Sequence, residues 1–309
     1  MLRLLVCLWT KKALNYIKRI ASFKNPEFYA KQGMRLSTYN TPRIISCADV
    51  SEEYVVLPRG CEDAIVELLM NNHVCYRAKD ETNPGKCISV KFKGELREEQ
   101  DTAIASLMSH NTGVLNATTA FGKTVTAIDL IAKRKVNTLI LVHTKALLEQ
   151  WKSRLEEFLD IDYVEEDTSH RRVRKVAFSP FSALDSNGNR IHKTIDIALI
   201  QSCFDDDEVK PFVRDYGIVL VDECHHVSAV NFERVLKCCN ACYVYGLTAT
   251  SIRKDGHQPI IFMQCGPIRY SADAKMQMTS QTFERLLIPR FTSYRELTDD
   301  KAMCRYYKG

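Results

Sequence analysis

Apolar positions follow two regimes along this chain of 309 residues. Over roughly the first 90, apolar runs are short and often interrupted. Leu14, Ile17, Ile20 and Ala21 recur at helical spacing, so the pattern predicts helix from about 13 to 33. Segments 43–47 and 54–57 read as strands, Pro58-Arg59-Gly60 as a turn, and 62–71 as an amphipathic helix with Ile65, Leu68 and Leu69 on one face. Segments 74–77 and 88–92 read as further strands around a polar connector at 80–85. From Leu96 onward, near-continuous apolar runs at 114–115, 138–142, 195–200, 218–221 and 244–247 alternate with helical stretches. Strands without polar alternation are buried on both faces, which predicts a parallel sheet covered by helices. The expectation is an α/β fold with a small N-terminal α+β domain. A turn at 185–189 reads as a hairpin tip between 176–178 and the strand after Ile191.

Ligands of such sheets bind at the carboxyl ends of the strands, and two motifs lie there. Ala117-Thr118-Thr119-Ala120-Phe121-Gly122-Lys123-Thr124 follows an apolar run and opens a helical one. This is the strand–loop–helix setting of a phosphate-cradling loop, in which backbone N–H groups and the helix dipole face the phosphates. Lys123 would reach the β- and γ-phosphates and Thr124 would set its hydroxyl on magnesium. Ile218-Val219-Leu220-Val221 ends in Asp222-Glu223. Asp222 would hold the metal, through water, and Glu223 would orient or deprotonate the attacking water. Together the motifs point to ATP and Mg2+.

Composition bounds the reading. At 45% hydrophobic and 26% charged, the chain is ordinary for a folded protein, and a net charge of +5 permits an anionic partner without demanding one. Lys11, Lys12, Lys18, Arg19, Lys24, Lys31 and Arg35 form an N-terminal basic cluster that reads first as solvated surface; 170–175 forms a second. No apolar run would span a membrane, and the opening 4–9 run lacks the flanks of a signal peptide. The twelve cysteines then read as reduced thiols inside a cell, cytoplasmic or at the nucleoid. Cys239 and Cys242 have metal-ligand spacing but no second pair nearby, so core packing is the favoured reading.

The motifs, in this order, resemble the first motor domain of superfamily 2 DEAD/DEAH-box helicases, and within them the XPB-like and type III restriction subunit group. Leu96-Arg97-Glu98-Glu99-Gln100 resembles the adenine-reading motif, with Gln100 on the adenine edge and Arg97 nearby. Residues 117–124 resemble motif I, and 141–151, with Thr144 and Lys145, resemble motif Ia, which touches the nucleic-acid backbone. Gln201 and Ser202 resemble a later backbone-contacting motif. Asp222-Glu223-Cys224-His225 is a DECH form of motif II, and Gly246-Leu247-Thr248-Ala249-Thr250 resembles motif III. Arg253-Lys254-Asp255-Gly256 and Gly266-Pro267-Ile268-Arg269-Tyr270 point to the XPB-like group.

The resemblance implies a RecA-like P-loop domain over 91–290, an N-terminal accessory domain over 1–90 that engages substrate, and the start of a linker over 291–309. It implies ATP and Mg2+ as cofactors, DNA as partner with RNA as the alternative, and coupling of the ATP site to motif III through His225, Thr248, Thr250 and Arg253. Trp151 reads as core, and Lys145 either as solvated charge or as a phosphate contact. Two departures stand out. The family usually has glycine where Ala120 stands; the expectation is that the loop needs no left-handed residue there and still binds ATP. The sequence also leaves no room for a second RecA-like domain, which supplies the arginine finger, so a partner chain is expected to supply it and isolated turnover is expected to be low. The rival reading is a non-catalytic remnant that binds nucleic acid or a partner. A small-molecule kinase is disfavoured, since motifs Ia and III have no task in one.

Overall fold

The computed structural model describes residues 1–5, 9–161, 181–184, 191–225, 229–249, 256 and 258–272. Residues Met1–Ala274 form one compact unit. Its first elements are β1 (Leu2–Leu5), α1 (Lys11–Ile20), β2 (Ser22–Lys24), α2 (Pro26–Gly33), β3 (Ile44–Ser46), β4 (Asp49–Val50), β5 (Tyr54–Leu57) and α3 (Glu62–Asn71). β5 lies between β1 and β4 in an antiparallel sheet, and β2 pairs antiparallel with β3. Ile17, Val55, Leu57, Ile65 and Leu69 give this layer a core of its own.

Three sequence expectations need correction here. The single helix expected over 13–33 is two helices separated by β2. Asn25 caps α2, its Oδ1 accepting from Glu27 N–H at 3.1 Å, and Pro26 occupies the first turn, where a missing N–H costs nothing. The apolar spacing masked this Asn-Pro punctuation. Residues 74–77 form no strand, and Val74 and Tyr76 are exposed; β-propensity without a neighbouring ladder makes no sheet. The connector at 80–85 is anchored rather than free. Asn83 receives the Cys242 N–H on its carbonyl and donates to the carbonyls of Asn240 and Arg214.

The larger part contains β6 (Val90–Phe92), α4 (Glu98–Met108), β7 (Thr112–Asn116), α5 (Lys123–Arg134), β8 (Thr138–Val142), α6 (Lys145–Phe158) and β9 (Leu159–Ile161). It continues with β10 (Phe181–Leu184), β11 (Ile195–Leu199), β12 (Phe204–Asp205), β13 (Glu208–Val209), β14 (Ile218–Val221), α7 (Ala229–Cys238), β15 (Tyr243–Thr248), α8 (Gln258–Cys265) and β16 (Ile268–Ser271). Seven strands form one parallel sheet in the order β10-β11-β8-β14-β15-β7-β16. Successive side chains on a strand face opposite ways. Ile140 and Val142 therefore join a core with Ile104, Ile128 and Leu155 from α4, α5 and α6, while Leu139 and Leu141 join Phe232, Val235 and Ile261 from α7 and α8. Helices on both faces and a RecA-like α/β architecture follow from this pattern. The readings at 176–178 and 185–189 lie outside the described residues. β10 itself pairs parallel with β11.

The amino ends of the central strands converge on Asn137, which is fully buried. Its Oδ1 accepts from Lys86 N–H at 2.9 Å and Gly217 N–H at 3.0 Å, and its Nδ2 donates to the carbonyls of Lys193 at 3.2 Å and Asp215 at 2.9 Å. The N-terminal layer docks through Arg59, whose guanidinium donates to the carbonyls of Ala241 at 2.8 Å and Cys239 at 2.5 Å. Gly60 follows because a side chain cannot fit: a Cβ there would lie 2.1 Å from the Phe262 carbonyl oxygen of α8. No helix among the described residues is long and apolar enough to cross a membrane.

Candidate functional site

The site forms where β7, β14 and β15 end at the same edge of the sheet. β7 leads through 117–121 to Gly122, whose φ of 84° is left-handed. That turn starts α5 directly at Lys123 and aims its first N–H groups into the loop. A Cβ at Gly122 would lie 2.8 Å from Gln100 Nε2, so glycine is required both by conformation and by space. Ala120 is absent from the left-handed residues, so alanine there carries no backbone strain.

Lys123 is almost fully buried. Its ammonium donates to the Ala117 carbonyl at 3.1 Å and lies 3.5 Å from Glu223 Oε1. The loop and the strand tip therefore meet across a single lysine. Ala117 N–H in turn donates to the Thr248 carbonyl at 2.9 Å, tying the phosphate loop to the end of β15. Thr124 is half-buried beside Lys123 on the first turn of α5.

Asp222 is buried, and Trp151 Nε1 donates to its Oδ2 at 2.7 Å while Glu223 N–H donates to its Oδ1 at 2.9 Å. Burial pushes the Asp222 carboxyl above the usual carboxylate range, opposed by the Trp151 N–H. Glu223 adopts a positive φ of 45°, which a non-glycine residue tolerates only when its surroundings hold it there. Its Oε2 is buried without a hydrogen bond; His225 Nδ1 stands 3.2 Å away, outside hydrogen-bond geometry, and lies 2.9 Å from Thr248 Oγ1. Glu223, His225 and Thr248 thus form one chain of contacts from the tip of β14 to the tip of β15. A cationic lysine, a helix amino terminus and two carboxylates with an unfilled oxygen suit a metal-bound polyphosphate: the lysine and N–H groups match anionic oxygens, and the carboxylates match a hard cation.

Gln100 was expected on an adenine edge. In the structure it braces the loop, Nε2 donating to the Phe121 carbonyl at 2.7 Å and Oε1 accepting from Arg97 N–H at 3.0 Å. Arg97 also donates to the Phe121 and Ala120 carbonyls. Thr118 flanks the short turn at 119–121, with Phe121 fully buried below it. Thr144 and Lys145 lie at the end of β8 and Gln201 and Ser202 at the end of its neighbour β11, so these two pairs share the site's edge on its other half. The Thr144 hydroxyl caps α6, accepting from Leu147 N–H at 3.3 Å, while Lys145 and Gln201 are exposed. Thr250 and Arg253, with 170–175, His226, 251–255 and 291–309, lie outside the described residues.

Sequence reasoning missed one participant. Trp151 has the burial expected of core, yet its indole nitrogen is the direct partner of Asp222. Nothing in the spacing of α6 signals that bond. The Cys239 thiol is fully buried and pushed up to about 12 by that burial, and its carbonyl belongs to Arg59.

A seven-stranded parallel sheet with a phosphate-type loop after one strand and a carboxylate pair after another is the architecture of a RecA-like P-loop domain, and the family and relatives matched by the sequence are superfamily 2 helicases. The chain belongs to the family of the type III restriction enzyme res subunit, whose match spans residues 93–253, just over half its length. It is 32% identical over 185 residues to a protein of Invertebrate iridescent virus 3 named as a helicase, 109L, the match covering 57% of this chain and 52% of that protein. It is 28% identical over 181 residues to the DNA 3'-5' translocase XPB2 of Sulfurisphaera tokodaii, covering 59% of this chain and 36% of the relative. The matches thus span about half of these curated relatives or less. The fold is similar to the crystal structure of the UvsW helicase from bacteriophage T4, with a TM-score of 0.59 at 16% identity over 84% of this chain and 93% of that one.

Proposed function

We propose that this chain supplies the ATP-binding half of a nucleic-acid helicase or translocase, with residues 1–90 as accessory domain, 91–290 as motor and 291–309 as the start of a connection. The observation that carries this reading is the Lys123–Glu223 approach at 3.5 Å, which brings the phosphate loop and the carboxylate pair to one point. Bound Mg2+ would neutralise phosphate charge and orient the oxygens for in-line attack. Lys123 and Thr124 would hold the phosphates and the ion from α5, and Asp222 would hold the ion from β14. Glu223 would position water and take its proton at a carboxylate oxygen. His225 and Thr248 would report the state of Glu223 to β15, and through Ala117 back to the loop. Thr144, Lys145, Gln201 and Ser202 would face the nucleic-acid backbone, DNA in preference to RNA because the XPB relatives are DNA helicases or translocases by name. The arginine that speeds turnover would come from a second RecA-like domain, in a partner chain or a further segment.

The test is a nucleotide titration followed by steady-state ATPase assays with and without DNA. Wild type should bind Mg2+·ATP, turn it over slowly alone, and gain activity when a second RecA-like domain is added. Failure of wild type to bind nucleotide would remove this reading. Binding of nucleic acid with no turnover under any condition would favour the non-catalytic remnant.

A further inference from the structure

The N-terminal basic cluster is more concentrated than a solvated surface requires. Residues 11–46 carry eight Lys and Arg side chains against one carboxylate, Glu27, whereas the whole chain has a net charge of only +5. The remainder is therefore net negative. The protein's excess of positive charge lies within residues 11–46, from α1 to β3. Glu27 is itself matched by Lys31 at 2.6 Å, so the outward field of this module is positive.

Aromatic rings are interleaved with that charge. Tyr39 is 85% exposed and Tyr16 55% exposed. The Tyr29 ring carries Lys24 on one contact at 5.9 Å and Arg43 on another at 6.0 Å, and Arg43 Nε donates to the Tyr29 hydroxyl at 3.1 Å. The loop bearing Arg35 and Tyr39 is held in shape. Asn25 binds its C-terminal end twice, Nδ2 donating to the Pro42 carbonyl at 2.7 Å and the backbone N–H to that of Arg43 at 3.0 Å; Lys31 donates to the Thr41 hydroxyl at 2.9 Å. A shaped loop with an outward ring loses little freedom when a base stacks on it.

The module also has a defined place. A Cβ at Gly256 would lie 2.7 Å from Pro26 Cγ. The first residue of α2 therefore touches the chain that leaves β15, the strand whose Thr248 holds His225.

We propose that the α1–β2–α2–β3 module is a binding site for single-stranded nucleic acid, its phosphates met by Lys24, Arg35 and Arg43 and a base stacked on Tyr39. Phosphate contacts of this type release counterions, and stacking on an exposed ring tolerates any base. The proposal rests on the module's own charge and rings. It deepens the substrate-engaging role given above to residues 1–90 and does not require ATP to bind.

The experiment is fluorescence anisotropy of wild-type full chain with a labelled thymidine oligomer and with a duplex, over a salt series and without nucleotide. Lys24→Glu/Arg35→Glu should weaken oligomer binding at least tenfold and flatten the log–log salt dependence by about 1.4, the value for two lost single-strand phosphate contacts. Tyr39→Ala should weaken oligomer binding roughly tenfold and leave the salt slope unchanged, as expected for a lost stack. Lys91→Glu/Lys93→Glu, with the same charge change on exposed lysines elsewhere, should bind the oligomer as wild type does. Circular dichroism melts of each variant establish that it is folded, and Tyr39→Ala, on an exposed ring, keeps the test intact if the charge variant is not. Unchanged affinity in Lys24→Glu/Arg35→Glu and Tyr39→Ala overturns the proposal, as does binding to phosphatidylserine vesicles without binding to either oligonucleotide. Tighter binding of duplex than of oligomer overturns its single-strand part. Wild-type nucleotide titration is read separately, so loss of the motor reading and loss of this one are distinguishable.

Discussion

At the scale of single residues, Asp222 carries the most consequence. Its pKa is raised by burial, so folding favours the protonated form, and the ligand-free protein should lose stability as pH rises from the ordinary carboxylate value through the elevated one. Thermal melts from about pH 4 to 7 should show that slope, Asp222→Asn should flatten it, and Mg2+·ATP should offset it by favouring the charged form. Trp151→Phe removes the donor that favours the carboxylate. It should shift the acid limb of the ATPase profile to higher pH and cost about 1–3 kcal/mol in chemical denaturation, the range for a buried acceptor left unpaired. In the loop, Ala120→Gly should change ATP affinity by less than about threefold. Gly122→Ala must adopt a left-handed φ and displace Gln100, and should weaken binding by tenfold or more for a strain of about 1–2 kcal/mol. Calorimetric titration separates the two. The lysine, the carboxylates and this glycine were legible in the sequence because the motifs name residue types at fixed spacing. The indole–carboxylate bond was not, because it joins residues on α6 and β14 that no local pattern relates.

At the scale of elements, legibility followed length and burial. The central strands β8, β11 and β14 are apolar at most positions and were read close to their bounds. In the N-terminal layer β5 was read at its bounds and β3 to within a residue, while β1, β2, β4 and the edge strand β10 were not read, because strands of two to four residues depend on neighbours for their existence. Helix α6 shows how the two scales meet: Leu148, Trp151 and Leu155 recur on one buried face, and Thr144 caps its start. The cap deserves a double reading, since the same threonine was expected at the nucleic-acid backbone. The strand starts are joined by Asn137, whose side chain serves four backbone groups. Asn137→Ala orphans all four, and should destabilise the protein by on the order of 3 kcal/mol in urea unfolding while leaving nucleotide affinity of the folded fraction near wild type.

At the scale of the whole molecule, the N-terminal layer is built into the motor part rather than tethered to it. Arg59 is buried, its charge disfavoured by burial, yet it donates to two carbonyls that have no other described side-chain donor. Around it, Asp63 meets Arg269 at 2.7 Å and Asp49 meets Lys237 at 3.2 Å. Met1–Ala274 should therefore melt in a single calorimetric transition. Arg59→Met should split that transition or lower it by about 2–4 kcal/mol, because two buried acceptors lose their donor together. The sequence marked a change of regime near residue 90 but gave no sign of this docking, since a buried arginine in a turn reads like any solvated one. The parallel sheet has a last consequence. One margin is stitched by Asn137 and the other bears the reactive loops, so lesions at the two margins should yield different phenotypes: heat-sensitive alleles that work when cool from the first, and inert but long-lived protein from the second. A genetic screen run at two growth temperatures would sort them.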